Sequence, residues 1–287
     1  MVFIMKPGIL WLLIFNFQIL ISSQNLEETI KFANKQFELQ NYQLAVKEYQ
    51  RALFFAEGQQ LDYLYQQIAH SFKINNQFEQ ALYFYELSYK TTNSDSIKSE
   101  RIFDKSFCYI KKGDFKHSVY ELLNLKDNLS DYFRDRKNFY LAVSYFGIEE
   151  FNKAESYFLS LLPENEKVGR DQIHKLFHTK KNLYRPNPNT AKVLSIILPG
   201  SGQMYSGDVK NSLNSILLTG SFVMLGVVMA QEYSIFDAVL TSLPWFTRYY
   251  KGGYLSAKKI ALNKRAIRRD KTYKRILEII SDSKGIK

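Results

Sequence analysis

The sequence predicts an all-α protein, in which an N-terminal solenoid of helical hairpins is followed by a small α-helical transmembrane domain. Three observations predict this fold. A pattern of small and aromatic residues recurs four times between residues 27 and 162, an uncharged run extends from Asn211 to Ala230, and only six prolines stand in a chain rich in Tyr and Phe. Aromatic-rich chains with few prolines favour packed helices over disorder or a turn-rich β-fold.

The first segment, residues 1–24, has the composition of a signal peptide. Lys6 precedes the apolar stretch ILWLLIFNFQIL, and small residues follow it in ISSQ. An apolar stretch of about 12 residues is too short to span a bilayer comfortably. Cleavage near Ser23 and retention as an uncleaved anchor both fit these residues. In either case we expect the chain after Asn25 on the side of the membrane away from the cytoplasm.

Residues 25–185 are predicted to form a helical repeat domain of about four units plus a capping helix. The second half of each unit begins with an aromatic residue, a small residue follows after three positions, and a large residue follows after four more. Two helices approach closely only where one side chain is small, and aromatics fill the gaps between hairpins. The repeat positions, spaced at a period of 36 to 37, are Ala33, Tyr42, Ala45, Tyr49, Ala69, Phe78, Ala81, Tyr85, Ser106, Phe115, Ser118, Leu122, Ala142, Phe151, Ala154 and Phe158.

This pattern resembles the tetratricopeptide repeat (TPR) family. The likeness is carried by the small residue of the first helix and by the aromatic, small, aromatic series of the second. The chain departs from the family in lacking its early tryptophan, in having Ser or Leu at several positions, and in exceeding the usual period of about 34. The resemblance implies a surface that binds a protein or peptide and carries no chemistry of its own.

A proline-rich linker separates the repeats from the next domain. A helix with Ile173, Leu176 and Phe177 on one face is expected to cap the last repeat. The sequence RPNPNT then stiffens the chain, so we place the domain boundary near Asn187.

Residues 186–257 are predicted to form a membrane domain with two to three helical segments. The uncharged run Asn211–Ala230 matches the roughly 30 Å of a hydrocarbon core. The run Ala191–Leu198 is too short to cross alone and fits a half-helix or an interfacial helix. A weaker second span is predicted over Ser234–Leu255, which Pro244 should kink.

The stretch LSIILPGSGQMYSGD could be a phosphate-binding loop or a bend inside a membrane. A phosphate loop requires Gly-x4-Gly-Lys-Ser/Thr, but here Gly202 is followed by Gly207 and then by Asp208. The dinucleotide pattern also fails, because Tyr205 stands where the third glycine is needed. We therefore interpret the stretch as a bend.

The same stretch resembles a bacterial membrane domain whose core reads Leu-Pro-Gly-x-Gly-Gln-x-Tyr-x-Gly. The resemblance implies an envelope protein of a Gram-negative bacterium, in which this domain follows a signal peptide and helical repeats. We expect the glycines to allow chain reversal and close helix contact, with Gln203 and Tyr205 bonding backbone groups. The matching residues are Leu198, Pro199, Gly200, Gly202, Gln203, Tyr205 and Gly207.

Charge and cysteine content limit the chemistry further. Much of the net charge of +11 lies in the basic C-terminal tail, residues 258–287, and in the few residues before it. A basic segment after apolar segments favours anionic lipid as its partner and makes nucleic acid unlikely. Cys108 is the only cysteine, so no intrachain disulfide forms, and we expect it to be a small buried residue. We expect no catalytic residue, cofactor or metal site.

These observations predict a non-enzymatic, membrane-anchored scaffold in the cell envelope. Its repeats would face the periplasm and bind a protein or peptide, while its C-terminal helices hold it at the inner (cytoplasmic) membrane. Two alternatives remain open: a component of membrane-protein insertion or envelope transport, and a membrane enzyme using Asp237. The side of the basic tail depends on whether Ala191–Tyr205 crosses the membrane or turns back.

Overall fold

The computed structural model describes residues 26–125, 130–178 and 183–285. Within these ranges the chain forms thirteen helices and no strand, so the all-α prediction is confirmed. The predicted signal peptide lies outside the described residues. The chain divides into two compact units, Met1–Tyr157 and Phe158–Lys287.

The first unit is a succession of helical hairpins. Each helix from the first to the sixth packs against the next, and the fifth also packs against the seventh. Its helices, the last of which contains the division between the units, are α1 (Leu26–Glu38), α2 (Tyr42–Leu53), α3 (Gln59–Ile74), α4 (Phe78–Thr91), α5 (Asp95–Lys112), α6 (Phe115–Leu123), α7 (Asp131–Gly147) and α8 (Phe151–Leu159).

The same turn joins the two helices of every hairpin. In the first hairpin, the N–H of Asn41 donates to the carbonyl of Gln36, and the N–H of Gln40 donates to the carbonyl of Phe37, each at 2.9 Å. This pair of bonds defines a Schellman motif, which needs a left-handed residue after the helix. The corresponding bonds recur in the other three hairpins, and the left-handed residues are Gln40, Asn76, Gly113 and Glu149.

The repeat positions lie inside the first unit and at its end. The second helix of every hairpin begins at the repeated aromatic residue. All eight small repeat positions are fully buried, and the large residues Tyr49, Tyr85, Leu122 and Phe158 are at most 1% exposed. The small side chains therefore occupy the tightest contacts, as expected for closely packed hairpins. Cys108 is also buried, and its burial raises the pKa of the thiol to about 12.

The second unit combines short helices with one long hairpin. The chain reverses at Tyr233 and Ser234, so the last two helices run antiparallel, with Gly226 facing Ser242 and Ser215 facing Gly253. After the end of α8, its helices are α9 (Lys167–His178), α10 (Pro188–Ile197), α11 (Ser201–Tyr205), α12 (Val209–Glu232) and α13 (Ile235–Lys284).

Helix α9 covers the residues for which a capping helix is predicted. Its residues Ile173 and Phe177 are buried, while Leu176 is half-buried, and the helix packs against α13. Both α9 and the proline-rich linker at Asn187 lie within the second unit. There the side chain of Asn187 caps α10 by accepting hydrogen bonds from the N–H groups of Asn189 and Thr190.

The predicted second span and the basic tail are parts of one helix. Helix α13 has 50 residues, continues through Pro244 and includes the basic segment. Ala257, Ala261 and Ile276 in its later part are buried, so this basic segment is a packed element of the unit. Among the described helices, α12 alone is both long and apolar enough to cross a membrane.

Candidate functional site

The glycine motif forms the reversal between α10 and α12. Gly200 has a φ of +88°, in the left-handed region, and begins the short helix α11. Gly207 has a φ of +76° and ends that turn. Asp208 then caps α12 by accepting a hydrogen bond from the N–H of Asn211 at 3.1 Å. Two glycines in left-handed conformation thus turn the chain twice within a few residues.

Gly202 permits a very close approach of α10 and α11. A Cβ atom at this position would lie 1.9 Å from the carbonyl oxygen of Ala191 and 2.6 Å from the Oγ of Ser195. No side chain fits in this space, because one of the obstructing groups is backbone. The glycine is therefore required by packing, and the left-handed glycines around it are required by conformation.

Gln203 connects three helices from a buried position. Its side chain is 1% exposed. Its Oε1 accepts a hydrogen bond from the Oγ of Ser195 at 2.8 Å, and its Nε2 donates to the carbonyl of Gly253 at 2.9 Å. Ser195 in turn accepts a hydrogen bond from the N–H of Gly202 at 3.0 Å. This chain of bonds links α10, α11 and α13.

Tyr205 and Ser212 bond further backbone groups of the bend. The hydroxyl of Tyr205 accepts a hydrogen bond from the N–H of Asn187 at 3.1 Å. The hydroxyl of Ser212 donates to the carbonyl of Gly200 at 2.7 Å. The expected pairing of Gln203 and Tyr205 with backbone is thus present. The roles of Ser195 and Ser212 were not predicted from the sequence. The only signal for Ser195 was a single hydroxyl within the apolar run before Pro199.

The backbone N–H groups of the bend are used inside it. Ser201 donates to the carbonyl of Leu198, Met204 to that of Gly200, and Asp208 to that of Gln203, at 3.1, 3.1 and 2.9 Å. A phosphate loop instead directs its amides toward the ligand. This arrangement favours the bend over a phosphate-binding loop.

Helix α12 has an inverted distribution of polarity. Its buried residues are Ser212, Ser215 and Thr219, whereas Leu217 is 67% and Met224 is 63% exposed. Only 11% of the residues in its apolar stretch are buried. Water-soluble proteins bury their apolar side chains, so this surface requires an apolar environment or an apolar partner.

Asp237, the residue of the enzyme hypothesis, takes part in capping α13. Its carboxylate accepts a hydrogen bond from the Oγ of Ser234 at 2.6 Å, and its N–H donates to the same oxygen at 3.1 Å. This reciprocal pair stabilises a helix N-terminus, where a negative charge is favourable. The position of Asp237 therefore has a structural explanation.

The first unit contains a buried cationic side chain that the sequence did not indicate. Arg101 is 4% exposed. Its Nε donates to Ser88 at 2.7 Å and its Nη2 donates to Gln66 at 2.6 Å, while Nη1 reaches Asp104 at 3.5 Å. Ser88 in turn donates to the carboxylate of Asp62. The guanidinium is thus surrounded by acceptors from three helices, which offsets the cost of its burial.

A second buried cation, Lys105, bridges two carboxylates. Its Nζ lies 2.8 Å from Glu86 and 2.9 Å from Glu121. Burial disfavours the charged lysine, but the hydrogen bonds to both carboxylates outweigh it and raise the pKa of Lys105. Burial likewise opposes ionisation of Glu86, and its bond to Lys105 lowers the pKa of that carboxyl.

The polar side of this cluster opens into a cavity of about 680 Å³ between α3 and α5. Asp62 and Gln66 line it from α3, and Glu100 and Arg101 line it from α5. Both signs of charge and several amide or hydroxyl groups therefore meet in one concave surface. Such a surface suits the backbone and polar side chains of a peptide.

No protein-family model, curated protein or solved structure matches this chain.

Proposed function

We propose that the protein is a non-enzymatic scaffold of the cell envelope, anchored in a membrane by its second unit and binding a protein or peptide through its first. The inverted polarity of α12 carries this proposal. Three of its four hydroxyl residues are buried and most of its apolar residues are exposed, the arrangement expected of a helix whose solvent is hydrocarbon. The rival environment is an apolar protein partner, which would cover α12 in the same way.

The first test is membrane integration of the full chain. We expect it to remain with membranes after alkaline carbonate and high salt, because burying the apolar side chains of an uncharged run of about 20 residues far outweighs surface charge attraction. Release by salt alone would show that the basic part of α13 holds the protein by electrostatics only.

A charge placed on α12 separates the membrane from a protein partner. Leu217→Arg puts a cation near the middle of the helix, where insertion costs about 2.5 to 3.5 kcal/mol. We expect loss of membrane integration or rapid proteolysis. The matched control is Tyr83→Arg, at a position 62% exposed in the first unit, which should leave integration unchanged. Normal integration of Leu217→Arg would contradict a span at α12.

The partner-binding role is assigned to the hairpins of the first unit. We propose that they stack as a TPR-like solenoid, which the recurring turn and the buried small positions support. The cavity beside Arg101 is the proposed contact surface. A photo-crosslinking residue at Gln59, which lines the cavity, should give a defined adduct in intact cells, and one at the exposed Lys47 should not. Equal adducts at both positions would refute this surface.

We place the protein at the inner membrane of a Gram-negative bacterium, with the first unit in the periplasm and the basic face of α13 on anionic lipid. The resemblance of the glycine motif and the export signal support this location. Ser281→Cys in a Cys108→Ser background gives a single thiol near the end of α13. Labelling of that thiol in intact cells by an impermeant maleimide would place the helix end in the periplasm, and protection until lysis would place it in the cytoplasm.

A further inference from the structure

A polar cavity of about 420 Å³ lies between α12 and α13, within the unit that we place in the membrane. Asn214 and Ser215 line it from α12, and Arg248, Tyr249 and Gly252 line it from α13. Polar groups in a membrane domain are costly and are retained where they bind something. The cavity is of the size that holds a small ligand or a headgroup.

Among the described residues, Arg248 is the one cationic group that lines this cavity. Its guanidinium lies over the ring of Trp245, 5.9 Å from the centroid. Within the part of the chain that the structure describes, no carboxylate forms an ion pair with it. Arg248 is exposed. In the membrane position that we propose for α12, an exposed cation favours an anionic partner, and the described residues do not supply one.

Ser215 lines the cavity, but its hydroxyl is turned away from it. The residue is 8% exposed, and its Oγ has no hydrogen-bond partner among the described residues. That oxygen is inaccessible and lies against Gly253 of α13, so it does not reach a ligand in the cavity. The side chain of Gln203, which also lines the cavity, is already bonded to Ser195 and Gly253.

We propose that this cavity binds the phosphate group of a membrane phospholipid, with Arg248 as the charge partner and the side-chain amide of Asn214 as a hydrogen-bond donor. The planar fork of a guanidinium matches two oxygens of a phosphate. The inference rests on the proposed membrane position of α12, which makes lipid the phosphate source in greatest supply.

Asp208 does not oppose this assignment. Its carboxylate accepts hydrogen bonds from the N–H and the Nδ2 of Asn211, at 3.1 and 2.8 Å. Since α12 and α13 are antiparallel, Arg248 lies near the level of Gly220, about two and a half helical turns from Asn211. The acidic group is therefore bonded to Asn211, beyond the opposite end of the cavity from the guanidinium, and does not itself line the cavity.

The test measures lipid binding by the purified, delipidated full chain in detergent. Native mass spectrometry monitors binding during titration with phosphatidylglycerol. We expect Arg248→Gln to weaken binding by about tenfold or more, because it removes a charged hydrogen-bond donor. The matched control is Lys251→Gln, which removes an exposed cation one turn away that does not line the cavity. Equal losses in both variants would show general charge attraction and overturn the proposal.

Gly252→Leu tests the same cavity without changing charge. A Cβ at Gly252 meets nothing within 4 Å, so a larger side chain fills the cavity without displacing backbone. This variant should keep wild-type helicity and lose lipid binding to the same extent as Arg248→Gln. Wild-type lipid affinity in Gly252→Leu would place the lipid elsewhere and refute the cavity as the site.

Competition with a soluble phosphate ester identifies the source of the phosphate. sn-Glycerol 3-phosphate at millimolar concentration should not displace the lipid, because it lacks the acyl chains that the membrane surface of α12 contacts. Displacement that depends on Arg248 would assign the cavity to a soluble phosphate ester and overturn the lipid assignment. Carbonate extraction of each variant distinguishes the two proposals. If the chain integrates into membranes but lipid binding does not depend on Arg248, only the lipid-binding inference is refuted. If the wild-type chain does not integrate, the proposed membrane anchor is refuted.

Discussion

Replacing Gly202 by alanine tests how the bend is built. The added Cβ would lie 1.9 Å from the carbonyl oxygen of Ala191, and ordinary contact begins at 3.4 Å, so α10 and α11 must separate by about 1.5 Å. That displacement breaks the hydrogen bond from Gly202 to Ser195 and misaligns the two bonds of Gln203. At about 0.5 to 1.5 kcal/mol for each of these bonds, we expect a loss of about 3 kcal/mol in the free energy of unfolding.

The assay is unfolding of the purified full chain in detergent. The fluorescence of Trp245, in a Trp11→Phe background, monitors the unfolding. The matched control is Gly220→Ala, because a Cβ at Gly220 in α12 meets nothing within 4 Å. That control should be neutral or slightly stabilising, since alanine favours a helix by about 1 kcal/mol over glycine. If Gly202→Ala were as stable as Gly220→Ala, the close contact at Gly202 would be wrong.

Three further predictions concern the first unit. Arg101→Met should lower the free energy of unfolding by about 3 kcal/mol in urea titration, because it leaves buried acceptors unpaired, whereas the exposed Arg134→Met should change it by less than about 0.5 kcal/mol. Gly113→Ala should destabilise and Gln40→Gly should stabilise the chain by about 1 kcal/mol each, measured in the same titration, because both residues are left-handed. The pKa of Glu86 is lower in the folded chain than its unfolded value of about 4.5, so the ionised carboxylate stabilises the fold at pH values above 4.5. This contribution is lost as the pH falls through the folded pKa. Between about pH 6 and pH 3, thermal unfolding should therefore show a larger loss for the wild-type chain than for Glu86→Gln.

The hairpins of the first unit could be predicted from sequence because their signal is periodic. Each repeated aromatic residue marks the first residue of a helix, and each repeated small residue is buried. The turns could be predicted only in part. Gly113 and Asn76 are residue types that favour the left-handed region, but Gln40 and Glu149 are not. There the packing of the two helices imposes a conformation that the local sequence disfavours.

The buried ionic cluster could not be predicted in the same way. Arg101 meets acceptors from α3, α4 and its own helix, and these residues are far apart in sequence. Each of them, considered alone, is a polar residue on a helix and looks exposed. Only the packing of three helices brings them together, so no local pattern indicates the cavity beside them.

The last segment shows how charge can obscure a packed helix. The dense positive charge after Lys258 predicts a tail, and the structure instead continues α13 through it. Two pairs of buried apolar residues, Ala257 with Ala261 and Ile276 with Ile280, are each four positions apart, which is a helical spacing. This stripe packs inward while the charges stay on the outer face. The positive charge predicts anionic lipid as a partner, and this stays a prediction. The apolar spacing would have predicted the packed helix.

Which face of helix α12 packs against the protein was not predicted from its sequence. Its sequence is uncharged for about 20 residues, which predicts a span but does not by itself say which face meets the protein. The structure distinguishes them: Ser212, Ser215 and Thr219 face the protein, and Leu217 faces outward. Hydrocarbon solvates leucine as well as a protein core does, so small and hydroxyl residues are free to make the close helix contacts. Ser215 and Arg248 both line the cavity between α12 and α13, so the same inversion that supports the membrane anchor also contributes to the polar cavity.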